Sequence, residues 1–246
     1  MNLNNLNINN MKWNMDEKIQ VYGQIRSILE KNHNDWNIIN QFKASYDEFV
    51  FNTNNLKEIK FIYDNDLSKL EKELIRQKKD LKTNFNLMLK LLQLYAADNR
   101  KTKLTKKLEK IRESLEHLLK EDLNKKVREI CDYSEKKLNP ELNEEWTLSG
   151  YGVNASMING LRSTSDKYLE TWKILKDENE KIKKAGREIR KMITRNDAIV
   201  TKRMKKFMGL FKNTHPEFYF DFMNECNKMK SSIGDQVAES ELNIQE

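Results

Sequence analysis

Apolar residues recur at three- and four-residue steps along most of the chain, which is the spacing of one face of an α-helix. The pattern is clearest over 67–95, where the stripe runs from Leu67 through Leu81 to Tyr95. The last part, 85–95, is apolar on more than one side, so we expect several neighbours to bury it. This stripe predicts a helix of about 30 residues, ~45 Å long.

The same spacing predicts helices before and after this one. The expected boundaries are a first helix over about 14–32, a second from a cap at Asn34 or Asp35 to about 62, turns at 64–66 and 98–102, and a fourth helix from 104 to a stop at Asn139-Pro140. A loop over 148–156 follows, with Asn154 as the cap of the next helix. A sixth helix begins at Asp177 or at Gly186 and carries a stripe to Phe211, and a short last helix begins at Pro216.

The chain as a whole is therefore predicted to be all-α. Seven glycines and two prolines in 246 residues leave few breakers of regular structure. We expect an elongated antiparallel bundle of about six long helices plus a short C-terminal helix. The expected organisation is a disordered Asn-rich lead-in over 1–13, one bundle domain over 14–230 and a polar acidic tail over 231–246. The alternative is two three-helix halves that meet near residue 140.

Positive charge is concentrated in one predicted helix. The chain carries a net charge of +7, yet 181–212 holds twelve Lys or Arg against Glu188 and Asp197, a balance of +10 that leaves −3 for the rest. The candidate basic interaction face consists of Lys183, Lys184, Arg187, Arg190, Lys191, Arg195, Lys202, Arg203, Lys205 and Lys206. Such a stripe suits phosphates or an acidic protein surface, and it is equally the ordinary outer side of a lysine-rich helix.

Four sequence motifs along the chain resemble those of a known family. They are the aromatic-rich segment opening with Trp36, Tyr95-Ala96 with Leu104, the loop Leu148-x-x-Tyr151-Gly152-Val153, and the run Phe211-Lys212-x-Thr214-His215-Pro216-Glu217-Phe218-Tyr219. Over about 35–225 the chain resembles an uncharacterised all-helical hypothetical-protein family of Bacteroidota. It departs from that family at Met204-Lys205 and at 222–226. The family's frequent Pro-Arg break near Lys176-Asp177 favours the Asp177 start. The resemblance implies a helical bundle and supplies no activity, cofactor or catalytic residue.

Candidates for chemistry are few. Glu30 and His33 form the one Glu-x-x-His pair, whereas a di-iron bundle needs two such pairs and two further glutamates. His117 is expected at the bundle edge, and His215 belongs to a His-Pro turn. Cys131 lies at a core-facing step, and Cys226 is expected near the edge of the last helix. No nucleotide-binding glycine motif occurs, so we expect no catalytic residue, no cofactor and no metal.

The sequence thus favours a non-catalytic protein that acts as a scaffold or adaptor. We expect a protein partner or self-association, with no membrane and no small-molecule substrate. The alternative is a nucleic-acid-associated protein that binds phosphates through 181–212. The two isolated cysteines and the absence of an apolar leader segment in this sequence predict a cytoplasmic location.

Overall fold

A computed structural model describes the backbone of residues 3–115, 117–118, 120–138 and 147–242, and the side chains of 15–115, 117–118, 120–138 and 147–229. Within these residues the regular structure is helical and contains no β-strand, which confirms the all-α prediction. The helices are α1 Leu3–Lys31, α2 His33–Trp36, α3 Asn40–Tyr63, α4 Ser68–Asp98, α5 Thr102–Ser114, α6 Lys120–Lys136, α7 Ala155–Ala198, α8 Lys205–Met208 and α9 Pro216–Leu242. A π-helical segment, Ile199–Met204, joins α7 to α8, and 3₁₀ turns cover Leu148–Tyr151 and Gly209–Phe211.

The chain divides into two compact units. Unit 1 consists of Met1–Asn65 and Lys181–Glu246, and unit 2 consists of Asp66–Glu180. These boundaries lie away from residue 140, where the alternative prediction placed the junction of two halves. The predicted single bundle domain over 14–230 includes both units and stays a prediction.

Each unit has its own apolar core. The core of unit 1 is built from α1, α2, α3, the end of α7, the π-helical segment, α8 and α9, and it includes Tyr22, Trp36, Phe49 and Phe222. Trp36 is fully buried, and its indole Nε1 donates a hydrogen bond to the Leu29 carbonyl at 2.8 Å. This bond satisfies the polar atom of a large buried ring, so the tryptophan can fill the core without an orphaned donor.

Unit 2 packs the stripe of α4 against α5, α6 and the first part of α7. Its core includes Phe85, Leu92, Leu108 and Tyr168. The segment 85–95 was predicted to be buried by neighbours on several sides, but Leu87 and Leu94 are 50% and 55% exposed. The described neighbours therefore cover one face of α4 and leave the second apolar side in solvent.

Helix α7 begins in one unit and ends in the other, without the predicted break at Asp177 or Gly186. Asp177 lies inside the helix, where no free N-terminal amides await a cap, so its capping pattern has no function there. Gly186 is buried beside Ala185, which keeps it within the core stripe. Over 169–184 no side chain is buried, which explains why the cores separate within this one helix.

Two other predicted helices are each divided into two. The fourth predicted helix is two helices, because its stripe contains a five-residue step from Leu118 to Leu123. Ser114 closes α5, and its hydroxyl donates to the Ile111 carbonyl at 3.0 Å. The second predicted helix is also divided, into α2 and α3, with Ile39 in an extended conformation before α3. The predicted stop at Asn139-Pro140 lies outside the described residues.

Both end helices are longer than expected. Helical backbone reaches back to Leu3, where a disordered lead-in over 1–13 was expected, and forward to Leu242, through much of the expected tail from 231. The apolar steps Ile8, Met11 and Met15 extend the first stripe, and asparagine costs a helix less than about 1 kcal/mol per residue. The last helix is thus a long helix, not a short one.

Several turn predictions are confirmed. The side chain of Asn154 caps α7 by accepting a hydrogen bond from the Met157 amide at 2.9 Å. Asp66 accepts bonds from both the amide and the hydroxyl of Ser68 at the start of α4. The loop predicted over 148–156 turns at Gly152, which has a φ of 81°, a left-handed conformation that glycine adopts without strain.

Candidate interaction face

The basic face is defined by the ten predicted cations on the last turns of α7, the π-helical segment and α8. All ten lie in unit 1. Nine of the ten are exposed, and Lys205 is half-buried. The structure thus brings the predicted set together along one continuous helical path.

The opposite side of this helical path is buried. Ile189, Asn196, Val200 and Met204 are nearly or fully buried and face the core of unit 1. Within the π-helical segment the amide of Lys205 donates to the Val200 carbonyl, five residues back. A wider turn of this kind changes which residues share a side, and such turns are frequent at functional sites. Because one side of the helical path is buried in the core, the cations on the opposite side point toward solvent.

Glu48 of α3 lies against this face, which the charge count of the sequence does not reveal. Its carboxylate accepts from Arg195 Nε at 2.7 Å and from Arg203 Nη1 at 2.5 Å. These hydrogen bonds hold the pKa of Glu48 below its ordinary value of 4.5, since both stabilise the ionised form. Two of the ten predicted cations are therefore held in place by one carboxylate.

Other cations of the face remain available. Lys191 pairs with Glu188 at 2.8 Å, three residues back on the same helix. Arg187, Lys202 and Lys206 are exposed, and none of them forms an ion pair with any side chain that the structure describes. Lys184 is exposed and unpaired in the same sense, so these four side chains form the part of the basic face that is free to meet an anionic surface.

Asp197 does not neutralise the face, although it lies within the basic segment. Its carboxylate turns inward and accepts from Lys18 Nζ at 2.9 Å and from the Tyr22 hydroxyl at 2.7 Å. Lys18 is 3% exposed and also donates to the Met229 carbonyl at 3.0 Å. Burial, with the neighbouring Asp197 carboxylate, raises the pKa of Tyr22 far above its usual value. This network links α1, α7 and α9.

Sequence reasoning missed this network, but a signal was present. Lys18 stands between Met15 and Tyr22, at a core-facing step of the first stripe. A lysine at a core position needs a buried partner, because an unpaired charge there is costly. The sequence does not identify that partner, since Asp197 is 179 residues away.

An apolar side chain stands at the end of the face. Leu210 is 62% exposed and follows Lys206 by four residues, within a helical path that continues to Phe211. The aromatic residues in the same stretch turn inward, because Phe207 is half-buried and Phe211 is buried. The face thus combines cations with an aliphatic group and presents no exposed ring between 183 and 212.

None of the candidates for metal chemistry is among the ten cations of this face. His33 and His117 are exposed, and His215 stands 3.4 Å from Asp35. Glu30 binds Arg26 at 2.7 Å. Among the residues that the structure describes, no three His, Cys, Asp or Glu side chains form a group that could hold a metal ion.

Both cysteines are buried as free thiols. Cys131 occupies the expected core position, and burial raises its pKa to about 11, which disfavours the nucleophilic thiolate. Cys226 was expected near the edge of the last helix, and this was wrong, because it is fully buried in the core of unit 1. Its position four residues after Phe222 continues the buried stripe of α9.

The structure defines an all-α protein with two helical units. Comparisons with known proteins find no matching family model, no similar curated protein and no similar solved structure. The resemblance to the helical family of Bacteroidota stays a prediction. In the described part of the chain, no helix has the length and apolar character needed to cross a membrane.

Proposed function

We propose that this chain is a non-catalytic binding protein whose basic face docks the acidic surface of another protein. The observation that carries the proposal is that exposed, unpaired Arg187, Lys202 and Lys206 lie on the same helical path as exposed Leu210. A scaffold or adaptor works through such a surface. A cytoplasmic location belongs to the same proposal.

The aliphatic group favours a protein partner over nucleic acid. Proteins that bind single-stranded nucleic acid stack bases on exposed aromatic rings, and between 183 and 212 the rings of Phe207 and Phe211 turn inward. Leu210 offers apolar surface that a side chain of the partner could bury, and buried apolar surface stabilises a protein interface. The surrounding cations would speed encounter with an acidic surface and fix its orientation.

Glu48 supports the proposal by ordering part of the face. Because it holds Arg195 and Arg203, these two side chains lose little conformational freedom when a partner arrives. The remaining cations stand in solvent, where each contact is worth about 0.2–1 kcal/mol. We therefore expect moderate, strongly salt-dependent binding.

The test compares two probes by fluorescence anisotropy across a salt titration. One probe is a glutamate-rich peptide with a central leucine, and the other is a single-stranded DNA oligonucleotide of equal net charge. The triple variant Arg187→Glu, Lys202→Glu, Lys206→Glu should weaken peptide binding tenfold or more. The matched control Lys31→Glu, Lys43→Glu, Lys57→Glu changes exposed lysines of α1 and α3 and should retain most of the affinity.

Leu210→Ser separates the two functions. It should weaken the peptide several-fold, because the probe's leucine loses its apolar contact, and it should leave binding to DNA unchanged. The alternative, nucleic-acid binding through 181–212, would be supported by DNA that binds more tightly than the peptide and depends on the same three cations. That outcome, or equal losses in the triple variant and its control, would refute the proposal.

A further inference from the structure

A second cationic site lies in unit 2, on helices that the basic face does not include. An open groove of about 440 Å³ runs between α5 and α6. Its lining includes Ile111 and five lysines, Lys103, Lys106, Lys107, Lys110 and Lys126. The net charge of the chain does not reveal this cluster, because acidic residues elsewhere in the sequence offset the lysines of α5.

The lysines come together for a structural reason. On α5 the positions 103, 107 and 110 are separated by four and three residues, so they share one side of the helix, and Lys106 lies beside them. Helix α5 ends at Ser114, and α6, which follows it, lines the same groove and supplies Lys126. The floor is apolar, since Ile111 belongs to the core of the unit.

One carboxylate partly neutralises the groove. Glu129 accepts from Lys107 at 2.5 Å and from Lys126 at 3.0 Å. Lys103, Lys106 and Lys110 form no ion pair with any described side chain. Among the described residues, Glu129 is thus the one carboxylate paired with these five lysines, and three of the lysines keep ammonium groups without an ion pair.

We infer that this groove binds a small polyanion that carries several phosphate groups. Ammonium groups act as mobile point charges with three donors each, which suits clustered phosphate oxygens approached from several directions. The groove volume falls within the range of small-molecule sites, about 300–1,000 Å³. A single carboxylate would leave most of the ammonium groups unpaired, whereas a chain of phosphates could meet them together.

Glu129 then acts as an internal competitor for the ligand. Its hydrogen bonds with Lys107 and Lys126 lower its pKa, so it stays ionised at neutral pH and keeps both lysines occupied. An incoming polyanion must displace this carboxylate to use those two lysines. Removal of the charge at position 129 should therefore improve binding.

The test measures binding of inorganic tripolyphosphate to the full chain by calorimetry, at low and at physiological ionic strength. The variant Lys103→Gln, Lys106→Gln, Lys110→Gln removes the unpaired lysines and should weaken binding about tenfold, since each exposed contact contributes a modest amount. The matched control Lys69→Gln, Lys72→Gln, Lys79→Gln removes the same charge from exposed positions of α4 in the same unit. It should leave affinity within about twofold.

Glu129→Gln supplies a change of opposite sign. Affinity should rise several-fold, because Lys107 and Lys126 become available to the phosphates. Equal weakening by the groove variant and its control would show binding to overall charge and would overturn the inference. Unchanged affinity in the groove variant, or weaker binding in Glu129→Gln, would also overturn it. The test is independent of the basic face, because the variants of the two surfaces share no residue.

Discussion

The pair formed by Lys18 and Asp197 provides the most direct test of what stabilises unit 1. The change Asp197→Asn keeps the size of the side chain and an oxygen that can still accept from Tyr22. The change removes the negative charge that balances the Lys18 ammonium group. Lys18 is 3% exposed, and its other hydrogen-bond acceptor is the Met229 carbonyl. We expect strong destabilisation, because the lysine charge stays buried without its counter-charge.

The expected loss of unfolding free energy in Asp197→Asn follows from how deeply Lys18 and Asp197 are buried. Breaking a buried ion pair by removing one partner costs about 3–5 kcal/mol. Asp197 is 17% exposed, so we take the lower end, about 3 kcal/mol, which lowers the melting temperature by roughly 6–12 °C for a chain of this size. Lys18→Met should cost less, because the Asp197 carboxylate retains its bond from Tyr22 and some contact with water.

Urea unfolding followed by tryptophan fluorescence measures these differences, with Trp36 reporting from the core of unit 1. The double variant Lys18→Met, Asp197→Asn should be more stable than Asp197→Asn alone, since no buried charge is left unpaired. Lys191→Gln is the control, because Lys191 lies in the same unit, pairs with the exposed Glu188 and should cost less than about 1 kcal/mol. The reasoning fails if Asp197→Asn costs no more than this control, or if the two single effects simply add.

Two further predictions concern pH and glycine. Glu48→Gln should lower stability by about 0.5–1 kcal/mol near neutral pH. Because the folded pKa of Glu48 is lowered, its contribution is present above the ordinary value of 4.5 and is lost as the pH falls through the lowered folded pKa. The urea midpoints of the two proteins should therefore converge in acid. A difference that grows in acid would contradict this. Gly152→Ala should destabilise by about 1 kcal/mol because φ is 81°, whereas Gly23→Ala, inside α1 with no atom within 4 Å of the added methyl, should stabilise by up to about 1 kcal/mol. Thermal midpoints that move in the same direction would refute the comparison.

The helical fold could be predicted because its signals are local. Stripes at three- and four-residue steps identified most helices, and side chains such as Asn154 determined where a helix begins. The division into α5 and α6 was also present in the sequence, as the five-residue step after Leu118. The unbroken α7 could not be predicted, since the residues at 177–180 cap a helix only if the chain already turns there.

The two candidate binding surfaces were harder to predict from the sequence, because they depend on pairs of distant residues. The ten cations of the basic face share one helical path, and local spacing was enough to group them. Their state of pairing was not predictable, since Glu48 and Arg203 are 155 residues apart. The groove of unit 2 needed the return of α6 alongside α5 before Lys126 could join the lysines of α5.

The division of the chain has a consequence for the order of folding during synthesis. All of unit 2 lies within Asp66–Glu180, so its contacts can form while later residues are still being translated. Unit 1 is discontinuous, and the bond from Lys18 to the Met229 carbonyl spans 211 residues. The parts of α1 and α3 that pack against α9 and the end of α7 therefore stay uncovered until those segments have left the ribosome. Long-range closure of this kind is slow, so we expect unit 1 to complete its core after unit 2.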